Sequence, residues 1–168
     1  MTLRNSFLAR LLENSKRRLW VIVIAILLFV IALPIYTAMY INLTEATAEN
    51  IGILKMQESL YKEMTQWFEF GSGITFWAVC FALPAGMQGF SYLYDRSKID
   101  FYHSKPVKAS RRFLTIWLNG VLIYAIPYLV GSIFNLLLVA ASGVLDMTLF
   151  LTWCEGIILT IGFYLSIY

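Results

Sequence analysis

Residues 19–44, LWVIVIAILLFVIALPIYTAMYINLT, contain no charged side chain. A helix needs roughly 20 apolar residues to cross about 30 Å of hydrocarbon. Two further charge-free tracts follow at 70–94 and 113–145, and a fourth, 147–168, is interrupted only by Glu155. These tracts predict four transmembrane helices, near 19–41, 72–94, 113–140 and 147–168.

The composition agrees with a membrane protein, because 60% of the 168 residues are hydrophobic and only 14% are charged. Soluble domains have about 25% charged residues. We therefore predict an all-α, polytopic helical membrane protein in which residues 1–168 form a single transmembrane domain. The fourth tract ends in GFYLSIY without a polar stop, so we expect the chain to be the N-terminal part of a longer protein.

The segment before the first tract, residues 1–18, has leucines and a phenylalanine on one side at helical spacing and charged residues on the other. This pattern is typical of a helix that lies in the membrane interface with its apolar face towards the lipid. An ordinary positively charged flank is the alternative. The first tract is too long for the roughly 7–15-residue apolar core of a signal peptide, so it predicts a retained span.

The positions of Lys and Arg predict the orientation. Five lie before the first span, two in the 42–71 loop beside five Glu, and six between 96 and 112. By the positive-inside rule, the N-terminus and the segment between the second and third spans are cytoplasmic. The acidic loop then lies outside, and its apolar periodicity predicts an amphipathic helix around 45–69. That helix either rests on the bilayer and the other spans or binds a partner.

A basic loop, residues 95–112, connects the second and third spans. Ser97 and Asp100 fit a capping box, which predicts a short helix from about 98 to 104. Pro106 ends that helix, because proline disfavours helical backbone in the residue before it. The predicted helix has three large apolar side chains that would face the cytoplasm, which indicates a docking surface. These are Ile99, Phe101 and Tyr102.

The stretch FSYLYDRSKIDFYHSKPVKASRRF, residues 90–113, resembles the segment between the second and third spans of bacterial ABC-2 type transporter permeases, particularly those of Gram-positive Firmicutes. The similar elements are a tyrosine-rich helix end, a basic pair, DFYHS, a proline and a basic run that enters the next span. In this chain they are Tyr92 and Tyr94, Arg96 and Lys98, Asp100 to Ser104, Pro106, and Arg111 with Arg112. Lys105 stands before the proline, where the pattern usually has leucine.

The resemblance implies the membrane-spanning subunit of an ABC exporter in the bacterial plasma membrane, with a second permease chain, identical or different, beside it in the lipid bilayer. The basic loop would form a coupling helix that binds a separate ABC ATPase subunit. The chain has no G-x-x-x-x-G-K-[ST] phosphate loop, so it is not expected to be an enzyme. The residues expected to contact the ATPase are Ile99, Asp100, Phe101, Tyr102, His103 and Pro106.

Other chemistry is poorly supported by the residues present. His103 and Asp100 offer at most two metal ligands, whereas a metal site normally needs three or four. One histidine and few intramembrane acids cannot supply a catalytic triad, and Cys80 and Cys154 are isolated thiols. The basic residues border spans, which accounts for them without nucleic acid. We therefore predict no cofactor, no metal and no nucleic-acid partner.

Glu155 lies near the middle of the fourth tract, about 12 Å from its start by helical rise. Burying an uncompensated carboxylate at that depth costs several kcal/mol. We expect Glu155 to face the protein interior, to be protonated or to contact a transport pathway. A hydrogen-bonded helix contact and a transport role both remain open for this residue.

Polar and small residues in the other spans have two interpretations. Gln88 and Asn119, which we name with Glu155 as possible functional residues, and Asn135 could contribute to transport or form hydrogen bonds between helices. Pro127 and Gly131 predict close helix packing or a kink in the third span.

Two functions of other classes stay open. A non-transporting membrane scaffold or sensor partner would need no ATPase, and a secondary transporter would depend on Glu155 rather than on nucleotide. The transported substrate is not determined by the sequence.

Overall fold

The computed structural model of the chain describes residues 16, 18–69, 71–90 and 109–168. Every regular element in these ranges is helical. We number them α1, Leu19–Ala25; a π-helical segment, Ile26–Ala32; α2, Leu33–Ile51; α3, Ile53–Phe68; α4, Gly73–Gly89; α5, Ala109–Ala141; and α6, Met147–Ile167. The predicted interfacial helix at 1–18 lies almost entirely outside the described residues.

Four segments are long and apolar enough to cross a membrane, within the part of the chain that the structure describes. They are Leu19–Ala46, Ile53–Gln88, Phe113–Ala141 and Met147–Ile167. The second segment comprises two helices, α3, which ends at Phe68, and α4, which begins at Gly73; its apolar part is α4. Large apolar side chains cover the outside of the bundle; Met39 is 67% exposed and Ile158 70%. An apolar surface of this extent suits lipid rather than water, so the prediction of an all-helical fold with four helices long and apolar enough to span a membrane is confirmed.

The first span contains a π-helical segment whose position follows from Pro34. Proline has no N–H to donate, and its ring clashes with the carbonyl four residues earlier. The N–H of Leu33 donates to the Leu28 carbonyl in the wider π pattern. The next carbonyl, that of Phe29, would need the missing N–H of residue 34. It lies instead against Gly131 of α5, where a Cβ atom would clash with it. The π segment therefore sets a close contact between the first and third spans.

The amphipathic helix after the first span is shorter than the sequence predicts. Residues 45–51 continue the first long helix as part of α2, and a new helix begins only at Ile53. Gly52 separates the two with φ at +86°, a backbone conformation that glycine adopts without steric cost. The apolar side of α3 is buried on the bundle through Leu60, Met64 and Phe68, so this face covers the other spans.

The helices pack in a defined order. The π segment and α2 contact α5, α4 contacts α6, and α3 contacts both α2 and α6. Gly156 of α6 faces the backbone carbonyl of Phe68, with no room for a Cβ atom between them. We call the end that carries Arg18, Phe90 and Phe113 the basic end, and the end that carries Glu69 and Asp146 the acidic end.

Candidate functional site

At the basic end, aromatic side chains join the two helices that flank the basic loop. The rings of Phe90, after α4, and Phe113, in α5, have centroids 5.6 Å apart. The Tyr168 ring lies 6.3 Å from that of Phe90. Phe90 and Phe113, on either side of the basic loop in the sequence, are thus held side by side.

Arg18 reaches the same cluster from the first span. Its side chain is only 2% exposed, and its Nη1 donates to the Tyr168 hydroxyl at 3.4 Å. The hydroxyl of Tyr168 donates in turn to the Ile116 carbonyl at 3.0 Å. Residues from the first, third and fourth spans therefore meet at the base of the basic loop.

From this base a row of tyrosines, which we call the aromatic ladder, follows the bundle axis. Tyr168 stacks on Tyr164 at 5.7 Å, Tyr164 on Tyr124 at 4.1 Å, and Tyr124 on Tyr128 at 5.6 Å between ring centroids. Phe29 of the π segment packs against the ladder, edge-on to Tyr124 at 5.4 Å. The ladder provides continuous contact from the basic end to the middle of the bundle.

The hydroxyl groups of the ladder differ in whether they have a hydrogen-bond partner. Tyr164 donates to the Gly120 carbonyl at 2.9 Å. The buried hydroxyl of Tyr124 has no partner among the described residues. An unpaired buried hydroxyl costs free energy that a bonded one does not.

Beyond Tyr128 lies a small cavity, lined by both apolar and polar side chains, in the half of the bundle nearer the acidic end. Residues of α5 and α6 line it, and the end of α3 covers it. Its polar contributors include Ser132, Asn135 and Thr160, all buried, and its aromatic walls include Trp67 and Trp153. The indole N–H of Trp153 donates to the Ser132 carbonyl at 3.2 Å, which links α6 to α5.

The residues predicted to bind an ATPase, Ile99, Asp100, Phe101, Tyr102, His103 and Pro106, lie outside the described residues. Of the intramembrane residues, Asn119 is 2% exposed and Gln88 is half-buried. Glu155 is exposed on α6, so the interior position considered for it does not hold within this chain. The three do not form a cluster around the cavity, which Asn135 lines instead.

Sequence reasoning missed the aromatic ladder and the burial of Arg18. A signal was present, because Tyr124 and Tyr128, and likewise Tyr164 and Tyr168, are four residues apart and therefore share a helix face. The sequence could not indicate that the two pairs face each other. In the sequence, Arg18 is only one of several positive charges before the first span.

No protein-family model, no curated protein and no solved structure matches this chain.

Proposed function

We propose that the chain is the membrane-spanning permease subunit of an ATP-driven ABC exporter. The observation that carries the proposal is the sequence of residues 90–113, which resembles the cytoplasmic coupling segment of ABC-2 type permeases. A separate ATPase subunit would bind this segment, since these 168 residues contain no phosphate loop of their own.

The contacts beside the basic loop support the proposal that movement of an ATPase bound to this loop would be passed to the membrane helices. The contact between Phe90 and Phe113, with centroids 5.6 Å apart, makes α4 and α5 neighbours where the loop joins them. Displacement of a segment held at both ends moves both helices. α5 spans 33 residues, so its movement reaches the acidic end. The contact of Arg18 with Tyr168 extends the coupling to the first span.

The exposed position of Glu155 supports a protein neighbour on α6. An acidic side chain near mid-bilayer is costly when it faces lipid. A second permease chain, or further spans of a longer protein, would remove that cost. The distribution of Lys and Arg supports an orientation in the bacterial plasma membrane with the N-terminus in the cytoplasm.

The test is affinity purification of the full-length protein from its native membrane, followed by mass spectrometry and an ATPase assay. We expect a stoichiometric nucleotide-binding subunit that is lost when Phe101→Asp or Ile99→Asp charges the docking surface. Leu54→Asp is the matched control, because it adds the same charge to an 83% exposed leucine of α3, away from the basic loop. The control should retain the subunit and its ATPase activity.

Two results would contradict the proposal. If the charged variants of the basic loop still purify with an active ATPase, that loop is not the docking site. If the unmodified protein purifies alone or with a partner that hydrolyses no nucleotide, the scaffold or sensor function replaces the exporter. Membrane insertion of every variant is checked by alkaline extraction, so that loss of the partner is separated from loss of the permease.

A further inference from the structure

The side of α3 that faces away from the bundle is polar. The apolar side chains of Leu60, Met64 and Phe68 are buried against the other helices. Between residues 55 and 69, every exposed side chain is charged or carries an amide. These side chains are Lys55, Gln57, Glu58, Lys62, Gln66 and Glu69. The last four are three or four residues apart and therefore share one face; we call them the polar stripe.

Two contacts place the end of α3 inside the bilayer. The Phe68 carbonyl lies against Gly156, which is the tenth of the 21 residues of α6. A helix of that length is about 30 Å long, the thickness of the hydrocarbon, so Gly156 is close to its middle. Gly86 of α4 lies beside the backbone of Tyr168 at the basic end. Since α4 begins only thirteen residues before Gly86, it stops about 10 Å short of the opposite surface.

Other sides of the bundle are apolar at the same level. The Trp67 ring of α3 packs against that of Tyr36 in α2, with centroids 4.7 Å apart. Met39, one turn from Tyr36, is 67% exposed. Leu151 of α6, five residues before Gly156, is 55% exposed. Exposed side chains of this kind suit lipid, so the bilayer extends to the level at which the polar stripe lies.

The deeper members of the polar stripe need a polar neighbour. Lys62 can extend its long side chain towards the surface, whereas Gln66 and Glu69 are shorter and lie deeper. Within the described residues, neither of these two side chains forms a hydrogen bond or an ion pair. A carboxylate or an amide that faces lipid at this depth is costly. Their partner therefore comes from outside the bundle.

We propose that the polar stripe is one wall of a water-filled cleft that opens at the acidic end and reaches the end of α3. Water in the cleft hydrates Gln66 and Glu69. As the final part of a cargo route, the cleft rests on the exporter function proposed above, and it favours polar cargo. Its charges alternate in sign along Glu58, Lys62 and Glu69, so it selects polarity rather than one sign of charge.

Cysteine accessibility tests the cleft. The two native cysteines are replaced by alanine, and Gln66→Cys and Glu69→Cys are introduced singly. Met39→Cys and Leu151→Cys are the matched controls, because they are exposed at a similar level on apolar sides. Full-length protein in lipid nanodiscs is treated with a charged, membrane-impermeant methanethiosulfonate reagent. The rate of modification is measured by intact-protein mass spectrometry.

We expect Gln66→Cys and Glu69→Cys to react about tenfold or more faster than the controls, because the reactive thiolate forms where water reaches the thiol. Equally slow reaction at all four positions would show that lipid or protein covers the stripe, and would overturn the proposal. Equally fast reaction at all four would also overturn it, because this half of the bundle would then lie in water on every side.

The labelling result is independent of the test of the exporter function, since the nanodiscs contain no ATPase. If purification finds no ATPase partner but the stripe reacts as expected, the cleft stands and its role as an export route is wrong. If the ATPase partner is found but the stripe reacts like the controls, the exporter stands and the cleft is wrong.

Discussion

The two halves of the bundle satisfy their buried polar groups differently. Near the basic end, long aromatic side chains stack, and the hydroxyls of Tyr164 and Tyr168 reach backbone carbonyls of α5. Near the acidic end, short polar side chains such as Ser132 and Asn135 leave a cavity that α3 covers. Aromatic rings fill space and place a hydroxyl at their tip. Short side chains fill less space, so a cavity remains in the half of the bundle that contains them.

The two halves also differ in the atoms that stand opposite their interhelical glycines. Substitution of these glycines is expected to have the largest effect on stability. A Cβ at Gly156 would meet the backbone carbonyl of Phe68, whereas one at Gly120 would meet the side chain of Tyr168. A ring can rotate away more easily than a helix backbone can move. We expect Gly156→Val to destabilise the protein by about 3 kcal/mol or more and Gly120→Val by roughly 1–2 kcal/mol.

Thermal unfolding of the full-length protein in detergent measures both glycine variants. Gly162→Val is the control on α6, because no atom lies within 4 Å of the Cβ position there. It should unfold close to the unmodified protein. Equal losses for Gly156→Val and Gly162→Val would show that the contact between α3 and α6 does not limit packing near the acidic end.

The second prediction compares two hydroxyls of the aromatic ladder. Tyr164→Phe removes a hydrogen bond to the Gly120 carbonyl and should cost about 0.5–1.5 kcal/mol. Tyr124→Phe removes a buried hydroxyl without a partner among the described residues, so its effect should be neutral or stabilising. The two rings stack on each other with centroids 4.1 Å apart, which makes each variant a control for the other.

The same unfolding measurement decides this comparison. A loss of stability in Tyr124→Phe equal to that in Tyr164→Phe would mean that the Tyr124 hydroxyl is bonded in the native protein. The half of the bundle nearer the basic end would then contain a hydrogen-bond partner for Tyr124. The two halves would differ less in how they satisfy their buried polar groups.

The smallest effect is expected at the start of α6. The Asp146 carboxylate accepts from the N–H of Met147 at 2.7 Å, which caps the helix at the acidic end. Asp146→Ala should cost about 1 kcal/mol, while Asp146→Asn retains an accepting oxygen and should change little. If both variants unfold at the same temperature, the local bond does not stabilise this helix end.

Much of the fold could be predicted because it depends on local sequence. The charge-free tracts predict the spans, since each is long enough to cross hydrocarbon. The start of the fourth span near 147 coincides with the helix Met147–Ile167. The sequence does not predict the end of the first long helix: α2 continues to Ile51 rather than stopping near 41, because no Gly or Pro lies between residue 41 and Gly52.

Less of the candidate site could be predicted. The sequence singles out Asn135 as a polar residue in a span, but its position in a cavity depends on neighbours from α3 and α6. For Glu155, the depth in the fourth tract follows from the sequence, whereas its exposed position on α6 does not. Helical periodicity assigns residues to a face but does not say which helix that face contacts.

The amino-acid sequence alone indicates four helices long and apolar enough to span a membrane, because a segment that crosses hydrocarbon must be apolar and must satisfy its own backbone hydrogen bonds. Only the tertiary structure decided that Phe90 meets Phe113, that four tyrosines form a ladder and that Asn135 lines a cavity. These features depend on how side chains from separate spans interlock. Lipid is as apolar as the helix surfaces, so close packing and hydrogen bonds between helices, rather than burial from water, select the arrangement.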